Sequence, residues 1–383
     1  MTHIRRRLIE TAALAAALIG GAQAQTSWLD QEVHLPYERA PIANSQTPSG
    51  YTPAQMRHAY GVDQIANEGE GQIIGIVDAY DYPSVESDLA VFTSTFDLPP
   101  CTKANGCLTV VYASGTQPPP NIGWSGETSL DVQWAHAIAP QAKIVLVEAA
   151  NGTVQTLIEA VPVAVANGAT VINMSWGTNA EHPGEQQYDA YFSNPSVTYF
   201  NASGDLGHNS FGYPGASSLV VGAGGTALTL DADGNILSEK AWFGSGGGAS
   251  IYFPEPDYQI ASQNSGQRGV PDVAYNASAD TGVPVYDSEF GDWAQVGGTS
   301  ASSPQWCAIT AIANSMRAGM GKRPIGANFL KVVYTNPSAF HDITTGFNGS
   351  CGAMCLAGPG WDFVTGLGSP NAPLVVNALA AAP

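Results

Sequence analysis

From about residue 51 onward, short unbroken apolar runs alternate with stretches whose apolar residues recur every three or four positions. "QIIGIVDAY", "LTVVYA", "AKIVLVEA", "ATVINMSWG" and "SVTYFNASG" are near-continuous hydrophobic runs, the pattern of strands buried on both faces. Between them lie "SVESDLAVFTSTF", "GETSLDVQWAHAI" and "TVQTLIEAVPVAVANG", which read as helices. Strand and helix in alternation predict an α/β fold: a doubly wound, mostly parallel sheet with helices on both faces. In such sheets, sites gather where strands end and helices begin. No internal repeat or low-complexity linker forces a second domain. Residues 25–50 are polar, contain proline and show no period, so ordered structure is expected to begin near "YTPAQMRHAYGVDQI". "FGSGGGAS" sits among turn signals and reads as a loop, with a glycine-rich binding loop as the alternative.

The first residues, "MTHIRRRLIETAALAAALIGGAQAQ", place an arginine cluster before a short apolar run that ends in an A-x-A pattern. The run is interrupted by Glu10 and too short to span a membrane comfortably. Residues 1–24 are therefore expected to be a signal peptide, 25–50 a short N-terminal extension or propeptide, and 51–383 the folded domain of a secreted protein, extracellular or periplasmic. The formal charge is −19, with 13 basic residues against 32 acidic ones. Loss of the signal removes three arginines and one glutamate and takes the charge from −19 to −21. Nucleic acid and anionic membranes are disfavoured as partners, because both demand a basic surface. In acid, the carboxylates neutralise and few positive charges remain to repel one another, which suits work at low pH. Export also permits disulfides, and Cys101–Cys107 with Cys351–Cys355 is the simplest pairing, each closing a loop worth at most about 3 kcal/mol. Cys307, in "SPQWCAITAIA", reads as an inert core thiol.

Two stretches carry candidate chemistry. "GWSGETSLDVQWAHAIAP" sets Glu127 and Asp131 four residues apart, one helical turn, so that the carboxyls share a face roughly 6 Å apart along the axis. A solvated helix face is the ordinary reading of such a pair. "VGGTSASSPQWCAITAIANSM" presents Thr299 and Ser300 on a Gly-Gly turn, with Pro304 opening a long helix. Ser300 would stand just before a helix N-terminus, whose free N–H groups favour a developing oxyanion; the plain alternative is a capping serine. A serine nucleophile needs a base, and no histidine is well placed. His136 follows Asp131 by five positions and points away from the carboxylate face, His3 lies in the signal, and His34, His58, His182, His208 and His341 fall in loop-like or terminal contexts. A base other than histidine has to be considered. "ADTGVP" contains the D-T-G of pepsin-like aspartic peptidases, but that mechanism needs two such motifs, so Asp280 reads as a structural turn.

"GETSLDVQWAHAIAP", "NASGDLG", "SGGGAS…FPEPDYQ", "RGVPDVAYNASADTG", "GGTSASSP" and "FHDITTGFNG…GWDFVTGLGSP" occur in this order between about Tyr51 and Pro370. Together they resemble the sedolisin family of serine-carboxyl peptidases, secreted acid endopeptidases with a subtilisin-like fold. The resemblance implies Ser300 as nucleophile, Glu127 as general base, Asp131 as the acid supporting it, and Asp205 of "NASGDLG" as the oxyanion-hole acid. It extends, in some members, to Asp78 of "GIVDAYD" and Trp176 of "NMSWG". Physical chemistry agrees: two carboxyls on one turn titrate as a pair that retains a proton, and glutamate remains a usable base where imidazole is fully protonated. A neutral Asp205 can donate to the tetrahedral oxyanion. A low pH optimum is expected.

The same resemblance implies one structural Ca²⁺, held by Asp342, the carbonyls of Ile343, Gly358 and Gly360, and Asp362, a set of hard oxygen ligands. Without it, this Asp-Gly loop would read as an ordinary turn. Protein or peptide substrates and a monomer are expected. Members of the family usually carry a long folded prosegment, whereas here residues 25–50 alone separate signal from domain; either the domain folds unaided or the arm packs on it. Two other classes remain to be weighed, a non-catalytic binding protein that kept the fold and a glycoside hydrolase using Glu127 and Asp131. Acids one turn apart are poorly placed to flank a sugar bond from opposite sides.

Overall fold

The computed structural model describes residues 27–40 and 45–383; the signal peptide expected over residues 1–24 lies outside them. Eight strands build the main sheet: β1 (Ile73–Ala79), β2 (Leu108–Tyr112), β3 (Lys143–Ala149), β4 (Val171–Met174), β5 (Thr198–Ala202), β6 (Val220–Leu230), β7 (Ile236–Ala241) and β8 (Val273–Asn276). Their order is β2-β3-β1-β4-β5-β6-β8, with every pair along that path parallel and β7 antiparallel on the distal half of β6. The chain winds outward from β1 to one side, returns, and continues from β4 on the other. The reversal puts a crevice beyond the carboxyl ends of β1 and β4.

Helices α1 (Val85–Thr95), α2 (Ile122–Ile138), α3 (Val154–Ala166) and α4 (Thr299–Gly319) cover the two faces. The period of two along β1 sorts them. Ile74 and Ile76 join Leu130 and Trp134 of α2 and Ile309 of α4 in the larger core, while Val77 and Ala79 join Val154, Leu157 and Val161 of α3 in the second. By the same alternation Asp78 on β1 and Asn173 on β4 face α2 and α4. The five strands that the apolar runs predicted are observed as β1 to β5, whereas β6, β7 and β8 were not among them.

Helix α2 is enclosed from Trp124 to Ile138. Gln133 donates to the Tyr286 carbonyl at 2.6 Å and Trp134 to that of Pro284 at 3.0 Å, pinning the helix beneath the hairpin of Val283–Asp287 and Asp292–Gly297. No face of it is solvated, so the ordinary reading of the Glu127–Asp131 pair fails.

Two expectations need correction. Helix α4 starts at Thr299, after Gly298 at φ 97°, so Ser300 lies in its first turn rather than before it, and Pro304 lies inside the helix. Proline there lacks the N–H that would have bonded the Ser300 carbonyl. Ordered structure also begins before residue 51: Trp28–Asp30 form a 3₁₀ turn, and Glu38–Arg39 pair antiparallel with Val296 and Gly297. Both disulfides, Cys101–Cys107 and Cys351–Cys355, are formed. Cys307 is buried and unpaired, and burial pushes its thiol pKa up, as an inert core thiol requires. Asp280 sits in the 3₁₀ turn Ala279–Thr281. Among the described residues no helix is long and apolar enough to cross a membrane.

Candidate active site

Five segments meet at the crevice: the end of β1, one face of α2, the loop that follows β4, the loop that follows β5, and the first turns of α4. Asn121 caps α2 by accepting from the backbone N–H groups of Gly123 and Trp124, which fixes the helix one turn ahead of Glu127. Glu127 and Asp131 both have no exposed surface. Asp131 accepts from Asn173 Nδ2 at 2.6 Å and from Ser175 Oγ at 2.8 Å. Asn173 Oδ1 in turn accepts from Ser303 Oγ at 2.6 Å. Asp131 is thus tied, through an asparagine on β4, to the turn of α4 that follows Ser300.

Glu127 is different. Neither of its oxygens has a hydrogen-bond partner among the described residues, and neither does Ser300 Oγ, which is equally buried. Ser300 is nevertheless the neighbour that most eases the burial of the Glu127 carboxyl, so the two groups adjoin without a closed hydrogen bond in this state. Burial is the main cause that pushes the Glu127 carboxyl well above its ordinary pKa, and the charges of Asp78 and Asp205 push the same way. Asp131 is raised by burial, then by Asp78 and Glu127, against the opposing bonds from Ser175 and Asn173. Asp78, fully buried with both oxygens unpartnered, is raised to about 7 by burial, with Thr128 of α2 easing the rise. Among the described residues no lysine, arginine or histidine acts on any of these carboxyls.

Asp205 is bonded to the residue before Ser300. Its Oδ1 accepts from Thr299 N at 2.8 Å and from Thr299 Oγ1 at 2.9 Å. Its Oδ2 is buried without a partner, and burial raises the group to about 7. A Cβ on Gly298 would come within 2.6 Å of that oxygen, so the position excludes a side chain on steric grounds as well as by its φ. Trp176 donates to the Val77 carbonyl at 2.6 Å, bracing the strand beside Asp78 and making no bond to a carboxylate.

Sequence reasoning missed Asn173, Ser175 and Ser303. Asn173 did leave a signal, an amide inside the apolar run "TVINMSW", where a buried polar side chain has to be bonded to something. Ser175 and Ser303 sit among other small residues and left none.

The C-terminal loop brings the expected cation ligands together in two pairs, Asp342 with Gly360 and Asp362 with Gly358. Gly360 N donates to Asp342 Oδ2 at 2.9 Å, and Gly358 N donates to Asp362 Oδ2 at 2.9 Å. Among the described residues no hydrogen bond ends on the carbonyl oxygens of Ile343, Gly358 or Gly360. Two carboxylates and three unengaged carbonyls form a donor set that fits a hard cation.

The model of the subtilase family matches residues 116–333, from just before α2 to beyond α4. Kumamolisin of Bacillus sp. (strain MN-32) is 33% identical over 376 aligned residues, covering 88% of this chain and 65% of that protein. Sedolisin of Pseudomonas sp. (strain 101) is 32% identical over 234 residues, covering 53% of this chain and 39% of that protein. The chain therefore spans less than two thirds of either relative. The solved structure of Pseudomonas sedolisin complexed with two molecules of pseudo-iodotyrostatin has a TM-score of 0.74 at 25% identity, over 86% of this chain and 98% of that one. With the family matched over more than half its length and this fold around the match, the chain belongs to the subtilase family and, within subtilisin-like folds, to the sedolisins.

Proposed function

We propose that this protein is a secreted serine-carboxyl endopeptidase that hydrolyses peptide bonds of proteins in acid, with Ser300 as nucleophile, Glu127 as general base, Asp131 as its supporting acid and Asp205 in the oxyanion hole. The observation that carries the reading is the complete burial of Glu127 and Asp131 on one turn, beside a buried Ser300 whose Oγ is unbonded, with no cation among the described residues to balance them. Such a cluster holds protons until chemistry uses them.

Ser300 Oγ attacks the carbonyl carbon of the substrate while Glu127 takes its proton. The hydrogen bond that is open here closes when substrate fills the crevice. Mutual repulsion among Glu127, Asp131 and Asp78 leaves room for about one negative charge, which Glu127 needs and the other two forgo. The oxyanion accepts from the Ser300 N–H and from the protonated Asp205. Collapse of the intermediate breaks the C–N bond, and Glu127 returns its proton to the leaving amine. Water then cleaves the acyl-enzyme by the same steps in reverse order. As pH rises through about 7, the folded-state value of Asp205, the donor becomes a charge repelling the oxyanion and activity falls. Trp176 and Asp78 act from behind, the first bracing the strand of the second.

Asp342, Ile343, Gly358, Gly360 and Asp362 would hold one structural Ca²⁺, whose chemistry is charge compensation within the loop. Residues 1–24 would direct export, and residues 51–383 would form the peptidase domain of a monomer acting on protein or peptide substrates. The test is casein digestion across pH 2–8 by the wild type and by Ser300→Ala. Hydrolysis peaking in acid and absent from the variant is expected. A maximum above pH 7, or a fully active variant, overturns the reading.

A further inference from the structure

Beyond Asp205 the rim of the crevice is apolar and bare. Leu206, the next residue, is 63% exposed, Phe243 is 62%, Phe347 50% and Leu356 52% exposed. They come from three loops, those after β5 and β7 and the C-terminal loop, which main-chain bonds sew together. Gly207 N donates to the Gly244 carbonyl at 2.9 Å, which sets the backbone of Leu206 beside that of Phe243. His208 N donates to the Asn348 carbonyl at 2.9 Å, and Asn348 N to that of Cys355 at 3.0 Å. Asn348 Nδ2 donates to the Ser245 carbonyl at 2.8 Å, so this one buried asparagine ties all three loops. The rings of Phe243 and Phe347 meet edge to face with centroids 5.7 Å apart, and Phe347 pairs antiparallel with Leu356. The result is an apolar shelf that begins one residue from Asp205.

Residues 206–217, 242–254 and 343–361 contain no Asp, Glu, Lys or Arg, in a chain of formal charge −19. The shelf itself carries no charge, and what it offers a ligand is apolar area held in water. The arm of residues 32–40 lies in the crevice, with His34 paired to Gly177 and the Pro36 carbonyl accepting from Ser300 N at 3.0 Å, yet it leaves these four side chains uncovered. Four half-exposed side chains fall short of the roughly 1,200 Å² that a stable protein–protein interface buries, so a second copy of the chain is a poor occupant. One or two side chains of an extended polypeptide fit the scale, and the shelf is continuous with the crevice in which such a polypeptide would be cut.

We infer, resting on the serine-peptidase reading above, that Leu206, Phe243, Phe347 and Leu356 hold a bulky apolar side chain of the substrate near the scissile bond, and so select unfolded protein segments rich in Phe, Leu and similar residues. Folded proteins bury such side chains and present them only on unfolding. Acid unfolds many proteins by protonating their paired carboxylates. The acid in which Asp205 keeps its proton therefore also delivers the segments that the shelf takes.

Two fluorogenic peptides that share a central segment from a site cut in casein are compared at pH 4, one flanked by Phe and Leu, the other by Asn and Ser. The wild type should prefer the apolar peptide at least about tenfold in kcat/KM. In Phe243→Ser/Phe347→Ser, whose melting curve checks that it folds, that preference should fall about tenfold or more, through KM rather than kcat. Phe243→Leu/Phe347→Leu should restore most of it. Leu206→Asn, at the most exposed of the four positions, probes the same shelf independently and should lower the preference too. The preference should hold at low and high salt alike, since no charge carries it. Equal losses on both peptides, or a loss in kcat alone, mean a structural role and overturn the inference. A wild type that cuts both peptides equally well, or that sediments as a dimer which the serine variants dissociate, overturns it too and leaves the peptidase reading standing. If the wild type cuts neither peptide nor casein at any pH, both readings fall.

Discussion

Asp272 and Glu127 are both fully enclosed, yet their surroundings treat a negative charge in opposite ways. Asp272 faces Arg268, itself without exposed surface, through contacts of 2.6 and 2.9 Å. It also accepts from Gly222 N at 2.8 Å and from Tyr334 Oη at 2.8 Å. Its oxygens are fully employed, and the cation cancels its charge. Around Glu127 and Asp78, four carboxyl oxygens have no partner among the described residues, and no cation acts on either group. Taking a carboxylate out of water is costly wherever it happens. One site offsets the cost with an opposite charge and becomes scaffold. The other lets the groups keep protons, which leaves them free to exchange those protons during a reaction. Burial alone does not mark a catalytic acid; burial without a counter-charge does.

The largest expected effects come from breaking each site in turn. Glu127→Gln preserves shape and removes the titratable group. Its kcat should fall about 10³-fold or more, roughly 4 kcal/mol of barrier, while the melting temperature holds or rises. Arg268→Met strands the Asp272 charge and should cost about 3–5 kcal/mol in denaturant unfolding, with kcat per folded molecule unchanged. An active Glu127→Gln, or an Arg268→Met that is stable but inactive, would reverse the assignment of roles.

The sequence made one of these sites visible and hid the other. Glu127 and Asp131 stood out because a chain with 12% charged residues placed two acids on one turn. The resemblance carried by the six ordered motifs then supplied Asp205, gave Ser300 its role and extended to Asp78 and Trp176 outside those motifs, and the period of the apolar runs supplied the five strands from β1 to β5. Arg268 and Asp272 were legible only as letters of the motif "RGVPDVAYNASADTG", because their pairing depends on the chain around them being buried. The arm was missed for a different reason. A segment seated by its main chain in a crevice needs no side-chain period, so residues 32–39 carry no pattern that marks them as ordered. Asn173 shows the intermediate case, where the oddity is visible but its partners on α2 and α4 come from distant sequence.

A smaller effect should appear in the pH dependence of stability. Asp78 and Asp205 have folded-state values near 7 against an ordinary 3.8, and Glu127 and Asp131 are raised as well. A group that holds its proton more tightly when folded stabilises the fold below its unfolded pKa, and that stabilisation is lost as pH climbs through the folded value. The cluster therefore favours the fold at pH 4 and weakens it between pH 4 and 7. Glu148 and Glu185, raised by burial to about 8, extend the same trend upward. Melting temperature should drop by roughly 5 °C or more from pH 4 to pH 8, and Asp78→Asn should flatten that slope. Stability that climbs over this interval would mean the carboxyls are ionised in the fold, and the contrast with Arg268–Asp272 would disappear.

The smallest effect tests whether the cluster needs its supports as well as its protons. Ser303 acts two bonds away from the pair: its hydroxyl donates to Asn173 Oδ1 at 2.6 Å, and Asn173 donates to Asp131 at 2.6 Å. Ser303→Ala leaves the amide oxygen without a donor and lets Asn173 turn, so Asp131 loses the bond that fixes it opposite Glu127. Because Ser175 still holds the other Asp131 oxygen, the loss should be partial, about tenfold in kcat or roughly 1.4 kcal/mol, with KM unchanged. A packing role alone would lower the melting temperature and leave kcat and its pH profile intact. A positioning role shifts the acid limb of kcat, since a less restrained Asp131 shares its proton differently with Glu127, and Ser303→Thr, which keeps the hydroxyl, should restore most of the rate.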